Sequence, residues 1–237
     1  MTAPLVLVVE HEAACPPAHV GRWLEDAGCR TVVCRPYAGD PLPALPAHDA
    51  LVVLGGSIGA NDDADAPWLT PLKAMVRDAA ATGVPTLGIC LGHQVVAVAL
   101  GGAADRNPRG QQVGLLEQGW LPEASDDPLL ASSALPLRGI QWNDDIVTAL
   151  PDGARLLAAT PAGEPQVVRF APTVWGVQSH PEADVGVLRS WADGDRDDHL
   201  EKGIDQAAVL AEIEAAADEL EADWRPVLAR FAALAGR

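Results

Sequence analysis

The sequence predicts a three-layer α/β fold: a mostly parallel central sheet with antiparallel additions, helices on both faces and further helices at the C-terminus. Three observations point there. Short apolar runs at 5–10, 31–34, 50–54 and 84–89 alternate with stretches of helical period, the βα rhythm of a parallel sheet. Those runs are apolar at consecutive positions, as strands covered on both faces are. Beyond Gly101-Gly102 the rhythm gives way to closely spaced strand candidates separated by Pro and Gly, which suits antiparallel strands added toward one edge.

Taken in order, 5–10 is the first strand. Pro16-Pro17 open a helix with Val20, Trp23, Leu24 and Ala27 inward, and Gly28 ends it. The second strand is 31–34, and the Pro-rich stretch 36–46 is a surface connection with Asp40 and Asp49 as turn formers. Strand 50–54 delivers Gly55-Gly56. The acidic loop 61–65 lacks the glycine and closing glutamate of a calcium loop, so it reads as a solvated lead into a helix over 67–82. Leu69, Leu72, Met75, Val76 and Ala79 form that helix's buried stripe. Strand 84–89 ends at Cys90, and Leu91, Val95, Val98 and Ala99 then fall at helical spacing until Gly101-Gly102. Further strands are expected at 113–116, 137–142, 155–159, 166–170 and 174–178, with 170–173 as a hairpin turn. His11, His19 and His48 have no partners at ligand spacing and read as solvent-facing.

The last segment differs in charge. From Asp193 to Asp223 there are 12 acidic and 2 basic residues, a net of −10 out of the chain's −17. Ile213, Ala217, Leu220 and Trp224 nevertheless line one helical face, and Pro226 is expected to begin another helix with Val227, Leu228 and Phe231 inward. The regular apolar stripe favours helices packed on the core with a solvated acidic face; the competing reading is a docking surface for a basic partner. The expected organisation is a domain over 1–192 with an acidic helical extension over 193–237 packed on it.

Composition narrows the function. A chain of 237 residues with 49% hydrophobic content can bury a full core. No apolar run approaches the roughly 20 residues that cross a bilayer, and the first strand lacks the basic leader of a signal peptide. Cys15, Cys29, Cys34 and Cys90 show no Cys-x-x-Cys spacing and read as reduced thiols of a cytoplasmic protein, with no metal site. A net charge of −17 argues against nucleic acid or an anionic membrane as partner. No nucleotide-binding glycine loop is present, and no cofactor is expected.

Chemistry concentrates at Gly88-Ile89-Cys90-Leu91-Gly92. A cysteine between strand and helix, flanked by glycines two residues away on either side, is the cysteine form of a nucleophile elbow. The N–H groups of the following helix point back at its sulfur. Far downstream, Gln178-Ser179-His180-Pro181-Glu182 ends a strand: His180 supplies a base, and Glu182 lies close enough to bond its ring. A thiolate–imidazolium pair oriented by a carboxylate is triad logic in its cysteine version. With the elbow in place, the Gly56 and Leu91 N–H groups form an expected oxyanion hole, and Gly55 lets the backbone approach a ligand.

These stretches resemble the class I glutamine amidotransferases. The elbow Gly-Ile-Cys-Leu-Gly-His-Gln and the late Gln-x-His-Pro-Glu are that family's two signatures, and 49–57 is similar to its strand and Gly-Gly loop. The resemblance covers roughly residues 5–190 and is strongest to stand-alone proteins similar to the amidotransferase half of GMP synthase. It implies a flavodoxin-like sheet, glutamine as substrate, Gln94 in contact with it, and a backbone loop near 141–147 that helps hold it. It further implies ammonia release to an unknown acceptor, with a separate synthase or acceptor-enzyme subunit as partner. Ser179 departs from the family's usual aromatic residue before His-Pro-Glu and bears on pocket shape. A γ-glutamyl hydrolase on the same fold and a non-enzymatic binding member stay open as alternatives.

Overall fold

The computed structural model describes residues 2–131 and 135–236. In chain order its strands are β1 (Leu5–Val9), β2 (Arg30–Cys34), β3 (Ala50–Val53), β4 (Thr86–Ile89), β5 (Ala103–Arg106), β6 (Gln112–Glu117), β7 (Arg138–Asn143), β8 (Asp145–Ala149), β9 (Arg155–Ala159), β10 (Pro165–Ala171) and β11 (Val174–Val177). The helices are α1 (Ala18–Asp26), α2 (Leu69–Thr82), α3 (Leu91–Ala99), α4 (Val185–Gly194), α5 (Arg196–Glu201), α6 (Gln206–Ala215) and α7 (Ala217–Ala235).

The main sheet has seven strands in the order β2-β1-β3-β4-β11-β10-β9. Only the pairings of β10 with β11 and with β9 are antiparallel; the rest are parallel. This is the expected parallel core with antiparallel pairing toward one edge. The expected hairpin is also there, with Ala171 opposite Val174 across a two-residue turn. Alternation along β1 sorts the two cores. Val6 and Val8 face one cluster with Trp23, Val52, Trp175, Trp224 and Phe231. Leu7 and Val9 face the other, with Leu51, Leu72, Val76, Val95 and Phe170. A third cluster joins Leu115 and Ile140 to Leu188, Trp191 and Ile213, which binds α4 and α6 to the β6–β7 ribbon.

Five expectations need correction. The strands at 112–117 and 138–143 leave the main sheet and pair with each other as a separate ribbon. The stretch after Trp142 is a strand rather than a loop: β8 pairs with β5, which carried too little apolar character to be read. Pro226 lies inside α7 and starts no helix. The burial of Trp224, Val227, Leu228 and Phe231 around it holds the helix through a residue that removes one backbone bond. Ala217 is exposed, and Ala216, at the break between α6 and α7, is the buried residue. His11 is 3% exposed and takes a bond from Trp68 Nε1, because the chain after β1 turns inward beside Gly56.

The acidic loop behaves as a helix lead-in. Asp63 accepts from Thr70 Oγ1 at 2.6 Å and pairs with Lys73 at 2.5 Å in the first turn of α2. Among the described residues no helix is long and apolar enough to cross a membrane.

Candidate active site

Three neighbouring parallel strands end together. Val53 of β3 sits opposite Gly88 of β4, and Ile89 sits opposite Val177 of β11. The segments that follow them, Gly55-Gly56, Cys90 and Gln178–Glu182, therefore meet at the carboxyl end of the sheet, where open α/β folds bind ligands.

Cys90 has φ +50° and ψ −106°, a conformation forced by the direct passage from β4 into α3. A β-carbon on Gly88 would collide with the Gly92 carbonyl, and one on Gly92 with the Val53 carbonyl, so both flanking glycines are required by close packing. The Cys90 N–H bonds Val177 O at 2.9 Å, which pins the turn to β11. The cysteine is 5% exposed and lines a cleft of about 710 Å³.

His180 is anchored by its N–H to Ile140 O at 2.8 Å, and its Nδ1 bonds Glu182 Oε1 at 2.7 Å. Burial works against charge on this ring, yet Cys90 and Glu182, its polar neighbours, outweigh it and hold the His180 pKa well above its ordinary value. Gly55 backs this pair: a β-carbon there would lie 3.0 Å from His180 Cε1 and 3.7 Å from Cys90 Cβ. Gly56 lines the cleft and abuts Leu91, the first residue of α3, whose N–H has no partner within the helix. Cys90, His180, Glu182, Gly55, Gly56 and Leu91 are thus brought together.

Gln94 lines the cleft too, but its amide is engaged, donating to Asp145 O at 2.8 Å and to Gln178 Oε1 at 3.3 Å. Gln178 in turn donates to Cys90 Sγ at 3.6 Å, a contact given no role on sequence grounds. Ser179 is fully buried and accepts from Gln118 Nε2 at 3.0 Å. It packs against Gly139 away from the cleft, which leaves no room for an aromatic ring and does not shape the pocket.

Several wall residues escaped the sequence reading. Trp191 of α4 meets His180 edge-on and bonds Ala14 O at 2.7 Å, while Trp142 of β7 stands 6.0 Å from Trp191 and bonds Asp195 Oδ2 at 2.7 Å. The acidic C-terminal segment therefore supplies part of the cleft, through Asp195 and Asp198. The one available signal was tryptophan, a costly residue for a solvated helix, at the mouth of that segment. Cys15 also lines the cleft. It donates to Glu12 Oε1 at 3.3 Å, and burial together with Glu12 pushes its thiol far up. Among the described residues, no three His, Cys, Asp or Glu side chains converge as a metal site.

The family model described as glutamine amidotransferase class-I matches residues 21–190, which include Cys90, His180 and Glu182. The chain belongs to the class-I glutamine amidotransferase family. It is 29% identical over 181 residues to the glutamine amidotransferase-like protein YfeJ of Salmonella typhimurium, covering 75% of each chain. Over 142 residues it is 42% identical to the glutamine-hydrolyzing GMP synthase of a Parafrankia species, covering 58% of this chain and 24% of that one. Gamma-glutamyl peptidase 4 of Arabidopsis thaliana is 30% identical over 146 residues, 61% of this chain and 57% of the peptidase. The fold matches a crystal structure of a glutamine amidotransferase from Thermotoga maritima with a TM-score of 0.86 at 23% identity, covering 98% of this chain and 99% of the other. The mixed, mostly parallel sheet with helices on both sides and at the C-terminus is thus the fold of class-I glutamine amidotransferases.

Proposed function

We propose that this amidotransferase hydrolyses the side-chain amide of glutamine through a Cys90–His180–Glu182 triad. Cys90 Sγ attacks the amide carbon, and the developing oxyanion is held by the N–H groups of Gly56 and Leu91. His180 gives its proton to the departing ammonia. Water then attacks the glutamyl thioester with His180 as base, which returns the thiol and releases glutamate. Glu182 orients the imidazole and stabilises its charged form. Gln94 holds Gln178 against the sulfur and borders the bound amino acid, while Gly55 leaves the backbone room to close on it. The observation that carries this reading is the strained cysteine beside a buried histidine whose charge its neighbours favour.

Similarity to GMP synthase supports a separate synthase or acceptor-enzyme subunit as the consumer of the ammonia. A second reading, hydrolysis of a γ-glutamyl amide other than glutamine, is favoured by the cleft of about 710 Å³, which far exceeds one amino acid. The test of the triad is covalent. The glutamine analogue 6-diazo-5-oxo-L-norleucine should label Cys90, and glutamine or a γ-glutamyl amide should protect it. Ammonia or amine release that persists in Cys90→Ala overturns the assignment.

A further inference from the structure

The cleft has room for more than the γ-glutamyl group, and its walls have a strong electrostatic sign. Six carboxylates line it, Glu12, Asp62, Asp144, Asp145, Asp195 and Asp198, against two lining cations, Arg106 and the His180 imidazolium, and His180 is already engaged by Cys90 and Glu182. Arg106 is engaged with Asp144 at 3.1 Å and Asp145 at 3.7 Å, and Lys202 answers Asp198 at 2.7 Å. The other three carboxylates have no ion pair among the described residues and are held by neutral donors. Ser57 N–H and Oγ each bond Glu12 at 2.8 Å, Gly59 N–H bonds Asp62 at 2.7 Å, and Trp142 Nε1 bonds Asp195 at 2.7 Å. Neutral donors bring no positive charge to these three carboxylates, so the cleft keeps a surplus of negative potential. Asp145 registers it: burial first, then Asp144, Asp105 and Asp62, raise its carboxyl despite Arg106.

Two features independent of the acids point to the same ligand chemistry. Trp142 and Trp191 both line the cleft, tilted at 53° to one another, and indole faces attract organic cations. Asn143 is 6% exposed in the same wall, and its Oδ1 has no hydrogen-bond partner among the described residues. Its Nδ2 donates to Asp145 O at 3.0 Å; a carbonyl can only accept, so the free atom is an acceptor waiting for a donor. The contacts also run in order. From His180 the rings step 4.7 Å to Trp191, then 6.0 Å to Trp142, whose indole N–H ends on Asp195.

Resting on the reading of Cys90 as a γ-glutamyl nucleophile, we propose that the cleft selects γ-glutamyl amides of cationic amines, such as aliphatic diamines. The scissile amide lies at Cys90 and the distal ammonium lies among Trp142, Asp195 and Asp198. The step balances as for glutamine. The Sγ–carbonyl bond forms as the C–N bond breaks, the amine leaves with the His180 proton, and water completes hydrolysis to glutamate. The same field that draws in the cation expels anionic glutamate.

The test compares γ-glutamyl-putrescine with two analogues of equal reach on the full-length protein: the neutral γ-glutamyl-pentylamide and the anionic γ-glutamyl-4-aminobutanoate. The expected kcat/KM order is cation, neutral, anion, with at least about a tenfold step from cation to neutral, carried mainly by KM. In Asp195→Asn/Asp198→Asn the cation-to-neutral ratio should fall about tenfold. Calorimetric binding to Cys90→Ala should repeat the order without turnover. A ratio near or below one, while Cys90 still cleaves the neutral amide or glutamine, overturns this proposal alone. No cleavage of any amide, together with no labelling of Cys90, overturns both it and the triad reading.

Discussion

Trp191 meets the imidazole of His180 edge-on, with ring centroids 4.7 Å apart and planes at 61°. Its indole N–H is fixed on Ala14 O, so the loop after β1 and helix α4 together brace the ring that Glu182 holds from the other side. Trp191→Leu should lower kcat for glutamine about 10–100-fold with a smaller change in KM, since a misplacement near 1 Å at a reacting group costs on that order. Steady-state kinetics decide it. A change confined to KM would leave Trp191 as a wall residue only.

The backbone at Cys90 gives a stability prediction separate from activity. Cys90→Ala and Cys90→Gly both remove the sulfur, but only glycine relaxes φ +50°. Holding a residue with a β-carbon there costs about 1–3 kcal/mol, offset in part by glycine's extra freedom when unfolded. Cys90→Gly should therefore unfold at higher urea than Cys90→Ala, with both inactive. The reverse order would show that the elbow carries no strain.

Charge at His180 depends on Glu182, and the two should separate by mutation. Glu182→Gln keeps an acceptor for Nδ1 while removing the charge that, with Cys90, offsets burial of the ring. It should lose less activity than His180→Ala and shift the pH–rate limb that belongs to His180 toward lower pH. Equal losses would assign the proton transfers elsewhere.

What the sequence could show of this site follows from how local each signal is. Cys90 was legible because Gly88 and Gly92 must be glycine for reasons of packing within five consecutive residues. The main sheet was legible because buried parallel strands are continuous apolar runs. The β5–β8 ribbon was not: Ala103–Arg106 offers only two alanines, and its pairing with Asp145–Ala149 is a tertiary event. Pro226 read as a helix start, because a local rule does not register the core burial of Trp224 and Phe231 on either side of it. Trp191 and Asp195 stand four residues apart at the end of α4, but Trp142 comes from β7, and no spacing joins it to them.

Acid should destabilise the fold in a defined window. Burial lowers His11 to about 4 and His93 to about 3, from 6.5 in the unfolded chain. With folded values below unfolded ones, their contribution is complete above pH 6.5 and is lost as pH falls toward the folded values. Each pH unit in that interval costs about 1.4 kcal/mol per histidine. His180, raised instead, is protonated in both states below 6.5 and adds no slope there. Urea midpoints at pH 6.5, 5.8 and 5 should fall steadily, and His93→Leu should roughly halve the slope. A flat profile would mean that these rings take up protons in the native state.

The acidic C-terminal helices pose the last test. If residues 193–237 are a layer of the 1–192 domain, truncation after Ala192 removes Trp224, Val227, Leu228 and Phe231 from the cluster that holds Val6, Val8 and Trp175. It also removes Asp195 from Trp142 and the Arg138 guanidinium's partner Glu219, bonded at 2.6 Å. Each large buried side chain contributes about 1.5–3 kcal/mol, so the sum rivals the 5–15 kcal/mol that holds a typical domain together. The 1–192 fragment should therefore fail to unfold cooperatively, and alkylation should no longer distinguish Cys90 from Cys29 and Cys34. If the helices serve as a docking element, the fragment should stay folded, keep its hydrolytic rate and lose only a salt-sensitive stimulation by a partner. A soluble, cooperatively folding 1–192 fragment with selectively labelled Cys90 would decide for docking.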